Sequence, residues 1–247
     1  MKLFRAGLRQ LPVGWLFEAG TLFSVLVIAG AGLLFAELVD EVLEGESRAF
    51  DTAVLRALRD PLNTADSIGP TWLEVLFHDI TTLGGSTVVS LITAIVIGFL
   101  LVASKPGAAL LVLLSVAGGA LPGTFLKLGF DRPRPDLVAH LVTVQSASFP
   151  SGHALLSAVT YLRLGALLAR VVGQLRLKLY VLGVALTLTF LVGLSRVYLG
   201  VHWPTDALAG WSAGAMWAAL CWRIALALQR RGEVETGGDA RERATRL

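Results

Sequence analysis

Six apolar stretches punctuate the chain, at about Ala19–Ala36, Ser86–Ala103, Gly107–Leu126, Ala154–Val172, Leu179–Leu194 and Ala207–Leu228. Each approaches the ~20 residues a helix needs to cross the hydrocarbon of a bilayer. In lipid every backbone N–H and C=O must be satisfied internally, so the pattern predicts an all-α bundle of six transmembrane helices. The first stretch runs on into Glu37, Asp40 and Glu41 without a small-residue cleavage site, which predicts a retained span. Between the first two spans, Phe50, Val54, Leu55 and Leu58 recur at helical spacing among charges. This predicts an amphipathic surface helix in the first loop, ended by Asp60-Pro61. Residues 1–228 are expected to form one membrane domain. The polar remainder, residues 229–247, reads as a disordered tail.

Composition reinforces the membrane reading. Of the 247 residues 55% are hydrophobic and 16% charged, and the mean hydropathy is +0.70, which excludes an ordinary soluble enzyme. A net charge of +3 does not signal nucleic acid, because the basic residues are scattered around the spans without an aromatic-interleaved patch. They report topology instead. With six alternating spans, Lys2, Arg5, Arg9, Lys105, Arg170, Arg176, Lys178, Arg230 and Arg231 share one side, so both termini are expected in the cytoplasm. The long first loop falls outside, and there ten acids outnumber three arginines. The lone Cys221 lies within an apolar stretch and cannot form an intrachain disulfide.

The remaining polar residues near the spans are concentrated. Lys127, Arg132 and Arg134 follow the third span, Ser151 and His153 open the fourth, Arg196 closes the fifth, and His202 and Asp206 lead into the sixth. Under the predicted topology all four segments meet at the extracytoplasmic face. Cations with two histidines suit a phosphate: the cations neutralise its oxygens, and an imidazole can attack phosphorus or protonate the leaving oxygen. Pro150-Ser151-Gly152-His153 precedes a long helix, whose free N–H groups form a ready anion site. The plainer alternative is a serine helix cap beside a solvent-facing histidine. His202 and Asp206 are four apart across Pro204, which suits a helix start, so the carboxylate can fix the imidazole tautomer. A purely structural His–Asp pair is the alternative there, and a headgroup-facing basic cluster is the alternative for Lys127 to Pro135.

Taken together, KxxxxxxRP (Lys127 to Pro135), PSGH (Pro150 to His153) and SRxxxxxHxxxD (Ser195 to Asp206) resemble the three-part signature of the type 2 phosphatidic acid phosphatase superfamily. The resemblance covers about 80 residues. It implies a metal-independent, cofactor-free lipid phosphatase acting through a phosphohistidine. Carried over, His202 resembles the nucleophile, Asp206 its orienting partner and His153 the general acid. Lys127, Arg134 and Arg196 resemble the phosphate clamp, completed by Ser151 and the Gly152 N–H. Arg132 lies out of register, with four residues between it and Lys127 where Arg134 has six, and reads as a competing or auxiliary cation.

The expected function is therefore an extracytoplasmic lipid phosphatase of a bacterial cytoplasmic membrane, with a lipid phosphate as its partner and no nucleic acid. Undecaprenyl diphosphate is slightly preferred because the site is so cationic; phosphatidic acid and phosphatidylglycerol phosphate are the alternatives. A phosphotransferase shares the first half-reaction, and a transporter would place its ionisable groups near the midplane instead. The fifth span holds only about 16 uncharged residues, roughly 24 Å of helix, which predicts an Arg196 slightly below the headgroups. Arg163 lies deep in the fourth span, where pairing with Glu18 is one structural solution. His78 and His140 read as surface residues, the tryptophans as interfacial anchors, and Trp203 as a pocket-lining residue.

Overall fold

The computed structural model of the protein describes residues 13–142, 146–231 and 234. Among them the chain runs through α1 (Val13–Glu44), α2 (Arg48–Ala57), α3 (Thr71–Thr82), α4 (Ser86–Val102), α5 (Pro106–Phe130), α6 (Gly152–Val171), α7 (Leu175–Tyr198) and α8 (Pro204–Arg230). Five of these (α1 and α5 to α8) are long and apolar enough to cross a membrane. The pair α3–α4, bent by 50° across Leu83-Gly84-Gly85, passes the same test when taken together and is the sixth candidate span. Large apolar side chains such as Phe23, Phe99, Phe125 and Phe190 stand exposed around the bundle. Water would penalise such a surface; hydrocarbon does not.

The spans run longer than the apolar stretches because a helix does not stop where its first charge appears. The helix α7 spans 24 residues, about 36 Å, with Arg176 and Lys178 in its first turn, so the uncharged stretch before Arg196 is only the middle part of a longer helix. Arg196 sits in the last turn of α7 and is buried. Likewise α1 carries its acidic end beyond the expected Ala36, and Leu38 packs there against Phe149 and Ala209. The helix α8 continues to Arg230, two residues past the expected domain boundary. Most of the tail (232, 233 and 235–247) and the basic Lys2, Arg5 and Arg9 lie outside the described residues.

The segment expected to form a surface helix is helical over α2, and it docks on the bundle. Leu55 is fully buried against Val197, Trp203 and Ala207, and Asp51 is fully buried beside it, while Phe50 stays exposed. Just beyond, Arg59 donates to the Tyr198 carbonyl at 2.8 Å, fastening the loop to the turn after α7. That turn needs Gly200, whose φ of +74° is a left-handed conformation with no room for a Cβ beside Arg59 and Ala139.

At the centre, α6 packs among α5, α7 and α8, and α8 also runs along α1. Gly210 and Gly214 make the α6–α8 contact close: added Cβ atoms there would fall 2.6 Å from the Ser151 carbonyl oxygen and 2.6 Å from Ala158 Cβ. Small residues four apart are how membrane helices bring their backbones together. The approach lets the Ser151 N–H donate to the Asp206 carbonyl at 2.9 Å, joining the starts of α6 and α8 directly. A π turn at Ala158–Leu162 interrupts α6, and Arg163 follows it, buried, with Nε lacking a hydrogen-bond partner among the described residues. The side chain of Glu18, its expected partner, is outside them.

Candidate active site

Helices α5 and α7 end, and α6 and α8 begin, around a cavity of about 470 Å³. Lys127, Arg134, Gly152, His153, Arg196 and His202 line it, so the separate motif segments converge as their order on the spans predicts. The bent α3 adds Thr81, Thr82 and His78 to the rim. Gly84 and Gly85 permit this: a Cβ on Gly84 would lie 3.1 Å from the His153 carbonyl oxygen, and one on Gly85 would lie 3.8 Å from His153 Nε2.

His202 precedes the Trp203-Pro204 start of α8, and Asp206 occupies the third helical position. There Asp206 Oδ2 accepts the Trp203 N–H at 2.9 Å, which caps the helix and aims the carboxylate backward at the imidazole. His202 Nδ1 lies 3.3 Å from that oxygen, and the Ser148 hydroxyl donates to the same oxygen. On the other side of the ring, Arg134 Nη1 lies 3.2 Å from Nε2. A guanidinium only donates, so Nε2 must carry the lone pair and Nδ1 the proton. That tautomer leaves the Nε2 lone pair on the side of the ring away from Asp206, at the cavity that His202 lines. Burial pushes the His202 imidazole down to about 4, against the opposing pull of Asp206, which keeps the ring neutral and nucleophilic.

The cations are held separately. Lys127 Nζ donates to the Ala147 carbonyl at 2.7 Å and to Ser146 Oγ at 3.2 Å. Arg134 donates to the Ser146 and Val201 carbonyls, and burial lowers its pKa. Arg196 Nη1 donates to Thr81 Oγ1 at 3.1 Å, and its buried Nε has no hydrogen-bond partner among the described residues. Three cations facing two histidines across one cavity suit a polyanionic oxygen cluster such as a phosphate. Among the described residues no group of three or more His, Cys, Asp or Glu converges as a metal site.

Several placements differ from the sequence reading. Ser151 does not line the cavity; its buried Oγ accepts the Ala154 N–H and caps α6. Both readings of this segment thus hold in part, since Ser151 is the cap and His153 faces the cavity. Arg132 is not a competing phosphate cation, because Asp206 and Asp51 each hold it at 2.7 Å. Trp203 also stays off the cavity: its ring lies under Arg132 at 5.5 Å and its Nε1 donates to the Pro133 carbonyl. Trp211 and Trp217 donate across the bundle to the Thr189 and Ser115 carbonyls, so these two are interhelix ties and not interfacial anchors. His78 is exposed, as expected, yet it lines the cavity mouth. His140 holds the Pro135 carbonyl at 2.6 Å. Ser148, Ser146 and Thr81 are not legible in the sequence because single hydroxyl residues, in a loop or within a helix, carry no pattern of their own.

Known proteins share this arrangement. A model of the PAP2 superfamily matches residues 108–230. Phosphatidylglycerophosphatase B of Bacillus subtilis (strain 168) is 37% identical over 146 residues, which are 59% of this chain and 71% of that protein. The chain belongs to the PAP2 superfamily. This is the type 2 phosphatidic acid phosphatase family that the three motifs resemble, and the protein is a membrane lipid phosphatase of that superfamily. The crystal structure of a transmembrane PAP2 type phosphatidylglycerolphosphate phosphatase from Bacillus subtilis superposes with a TM-score of 0.73 at 30% identity, covering 82% of this chain and 98% of that one. An undecaprenyl-diphosphatase of Sulfolobus acidocaldarius is 39% identical over 71 residues, 28% of this chain and 29% of that protein. Aquifex aeolicus LpxE shares the fold, with a TM-score of 0.52 at 23% identity over 71% of this chain and 93% of that one.

Proposed function

We propose that this PAP2 phosphatase hydrolyses phosphatidylglycerol phosphate at the outer face of a bacterial cytoplasmic membrane, through a phosphohistidine on His202. The observation that carries the mechanism is the His202 tautomer: Nδ1–H on Asp206, and the Nε2 lone pair open to the cavity once Arg134 turns to a phosphate oxygen. Nε2 attacks phosphorus, forming the P–N bond as the bond to the lipid oxygen breaks. His153 donates its proton to that oxygen. The imidazolium that forms is stabilised by Asp206. Lys127, Arg134 and Arg196 hold the phosphoryl oxygens, together with the Gly152 N–H at the start of α6. His153 then takes a proton from water, which attacks phosphorus, breaks the P–N bond and releases inorganic phosphate. No metal is required for either step.

Likeness to Bacillus subtilis phosphatidylglycerophosphatase, in sequence and in crystal structure, supports the phosphomonoester substrate. The undecaprenyl-diphosphatase relative supports a second reading, in which the substrate is a polyprenyl diphosphate. The abundance of cations that favoured the diphosphate in the sequence weighs less now, because two carboxylates hold Arg132 away from the cavity. Transfer of the phosphoryl group to a second lipid uses the same first step and differs only in the acceptor.

The test is phosphate release by purified protein in detergent with EDTA, from phosphatidylglycerol phosphate, phosphatidic acid and undecaprenyl diphosphate, beside His202→Ala. Release that survives EDTA, is fastest from phosphatidylglycerol phosphate and disappears in H202A is the expected result. EDTA-sensitive release refutes the mechanism. Equally fast release from water-soluble phosphate esters refutes the lipid specificity.

A further inference from the structure

The chain carries a second buried carboxylate close to the site, on a segment that lies before the matched residues 108–230. Asp51 belongs to α2 and is fully buried. Its Oδ1 accepts the Thr205 N–H at 3.0 Å and its Oδ2 accepts the Thr205 hydroxyl at 2.7 Å. The same Oδ2 pairs with Arg132 Nη2 at 2.7 Å. Arg132 Nη1 in turn pairs with Asp206 Oδ1 at 2.7 Å, on the oxygen that does not face His202. One unbroken line therefore runs His202, Asp206, Arg132, Asp51, with charges that alternate once the imidazole gains positive charge.

We infer that Asp51 is a positioning residue for the His202–Asp206 pair: it orients Arg132 and offsets the positive charge that Arg132 brings against Asp206. The inference rests on His202 being the nucleophile. Asp206 is useful only if the imidazolium that forms on His202 sees a net negative charge behind it. Arg132 alone at 2.7 Å would cancel Asp206 as felt from the ring, and the buried setting makes that cancellation strong. With Asp51 the trio of Asp206, Arg132 and Asp51 carries one net negative charge. Asp51 also fixes the α8 N-terminus through Thr205, the residue before Asp206, so charge and direction are supplied together. Arginine is required in the middle because its planar fork reaches both carboxylates at once, which an ammonium group cannot do.

The experiment compares D51N, R132Q, D51N/R132Q and R132K in the full chain in detergent micelles. It reads kcat and KM on phosphatidylglycerol phosphate and, independently, the Kd for orthovanadate, which takes the five-coordinate geometry of a phosphoryl group in transfer. D51N is expected to lower kcat and weaken vanadate binding at least tenfold with KM within twofold, because Asp51 does not line the cavity. In the R132Q background the same substitution is expected to cost less than threefold, since no guanidinium is left to offset. A merely structural role would cost the same factor in both backgrounds, and that result overturns the inference, as does D51N at wild-type kcat and vanadate affinity. If D51N does not fold, R132K decides: a tenfold fall in kcat at steady KM is expected, and an unchanged kcat overturns it. Should the wild type release no phosphate from the lipid, the proposed function fails while the vanadate comparison still tests Asp51.

Discussion

Arg134 covers the lone pair of His202, with Nη1 3.2 Å from Nε2, so a cation stands over the imidazole nitrogen that does not face Asp206. A phosphate relieves this by giving the guanidinium a better acceptor, which uncovers Nε2 only when there is something to attack. Arg134→Ala is expected to lower kcat/KM by about a hundredfold, as loss of a charge-assisted contact in the transition state does. In the absence of substrate the same variant should expose His202 to acylation by diethyl pyrocarbonate. Faster modification of His202 in the variant, read by peptide mass spectrometry, is the expected result, and an unchanged rate speaks against the covering role.

The His202 ring gives a pH prediction. Burial holds it at about 4, against roughly 6.5 in an unfolded chain. Between those values the unfolded state binds the extra proton, so stability from this group is complete above about 6.5 and is lost as pH falls towards 4. Imidazole ¹⁵N resonances of His202 in the substrate-free protein are expected to remain those of a neutral ring at pH 5. A midpoint near 6.5 would contradict the burial argument.

Ser148 donates to the oxygen of Asp206 that faces His202, yet it does not line the cavity. Ser148→Ala should therefore lower kcat by about ten- to a hundredfold, the cost of one hydrogen bond to a charged group, and leave KM within twofold. A matching rise in KM would place Ser148 against substrate instead.

Thr81 holds Arg196 from α3, across the cavity from the motif helices. Thr81→Val frees the guanidinium without changing its charge. The expected effect is a rise in KM of about three- to tenfold at nearly constant kcat, as for one lost hydrogen bond to a neutral acceptor, of about 1 kcal/mol. Steady-state kinetics on phosphatidylglycerol phosphate check it.

Gly210 faces the Ser151 carbonyl with no space for a methyl group. Gly210→Ala should cost about 1–3 kcal/mol as an overpacking change. It should also lower kcat, because parting α6 from α8 separates His153 from His202. Thermal unfolding in detergent checks the first effect and kinetics the second.

The spans and motif residues were legible because hydrophobic runs and charged residues leave a linear record. Lys127, Arg134, Gly152, His153, Arg196 and His202 meet as the alternation of spans requires. What the sequence hid is the work of contacts between distant segments. Arg132 looks like one more cation until Asp51, 81 residues away, is found beside it. The helix α3 and its bend at Gly84-Gly85 lie in the part of the first loop beyond Asp60-Pro61, where no periodic pattern stands out, so Thr81 and the cavity-facing side of His78 are not legible in the sequence. Ser151 was assigned to the phosphate because a hydroxyl beside a glycine suits either a ligand or a helix cap, and only packing decides between them.

The hydrogen bond from the Ser151 N–H to the Asp206 carbonyl joins the histidine-bearing starts of α6 and α8 through atoms that nearly every amino acid supplies. Side chains on the lipid-facing sides of those helices can drift over generations without altering that join. The placing of His153 against His202 is thereby insulated from the lipid-facing surface, because main-chain atoms make the join.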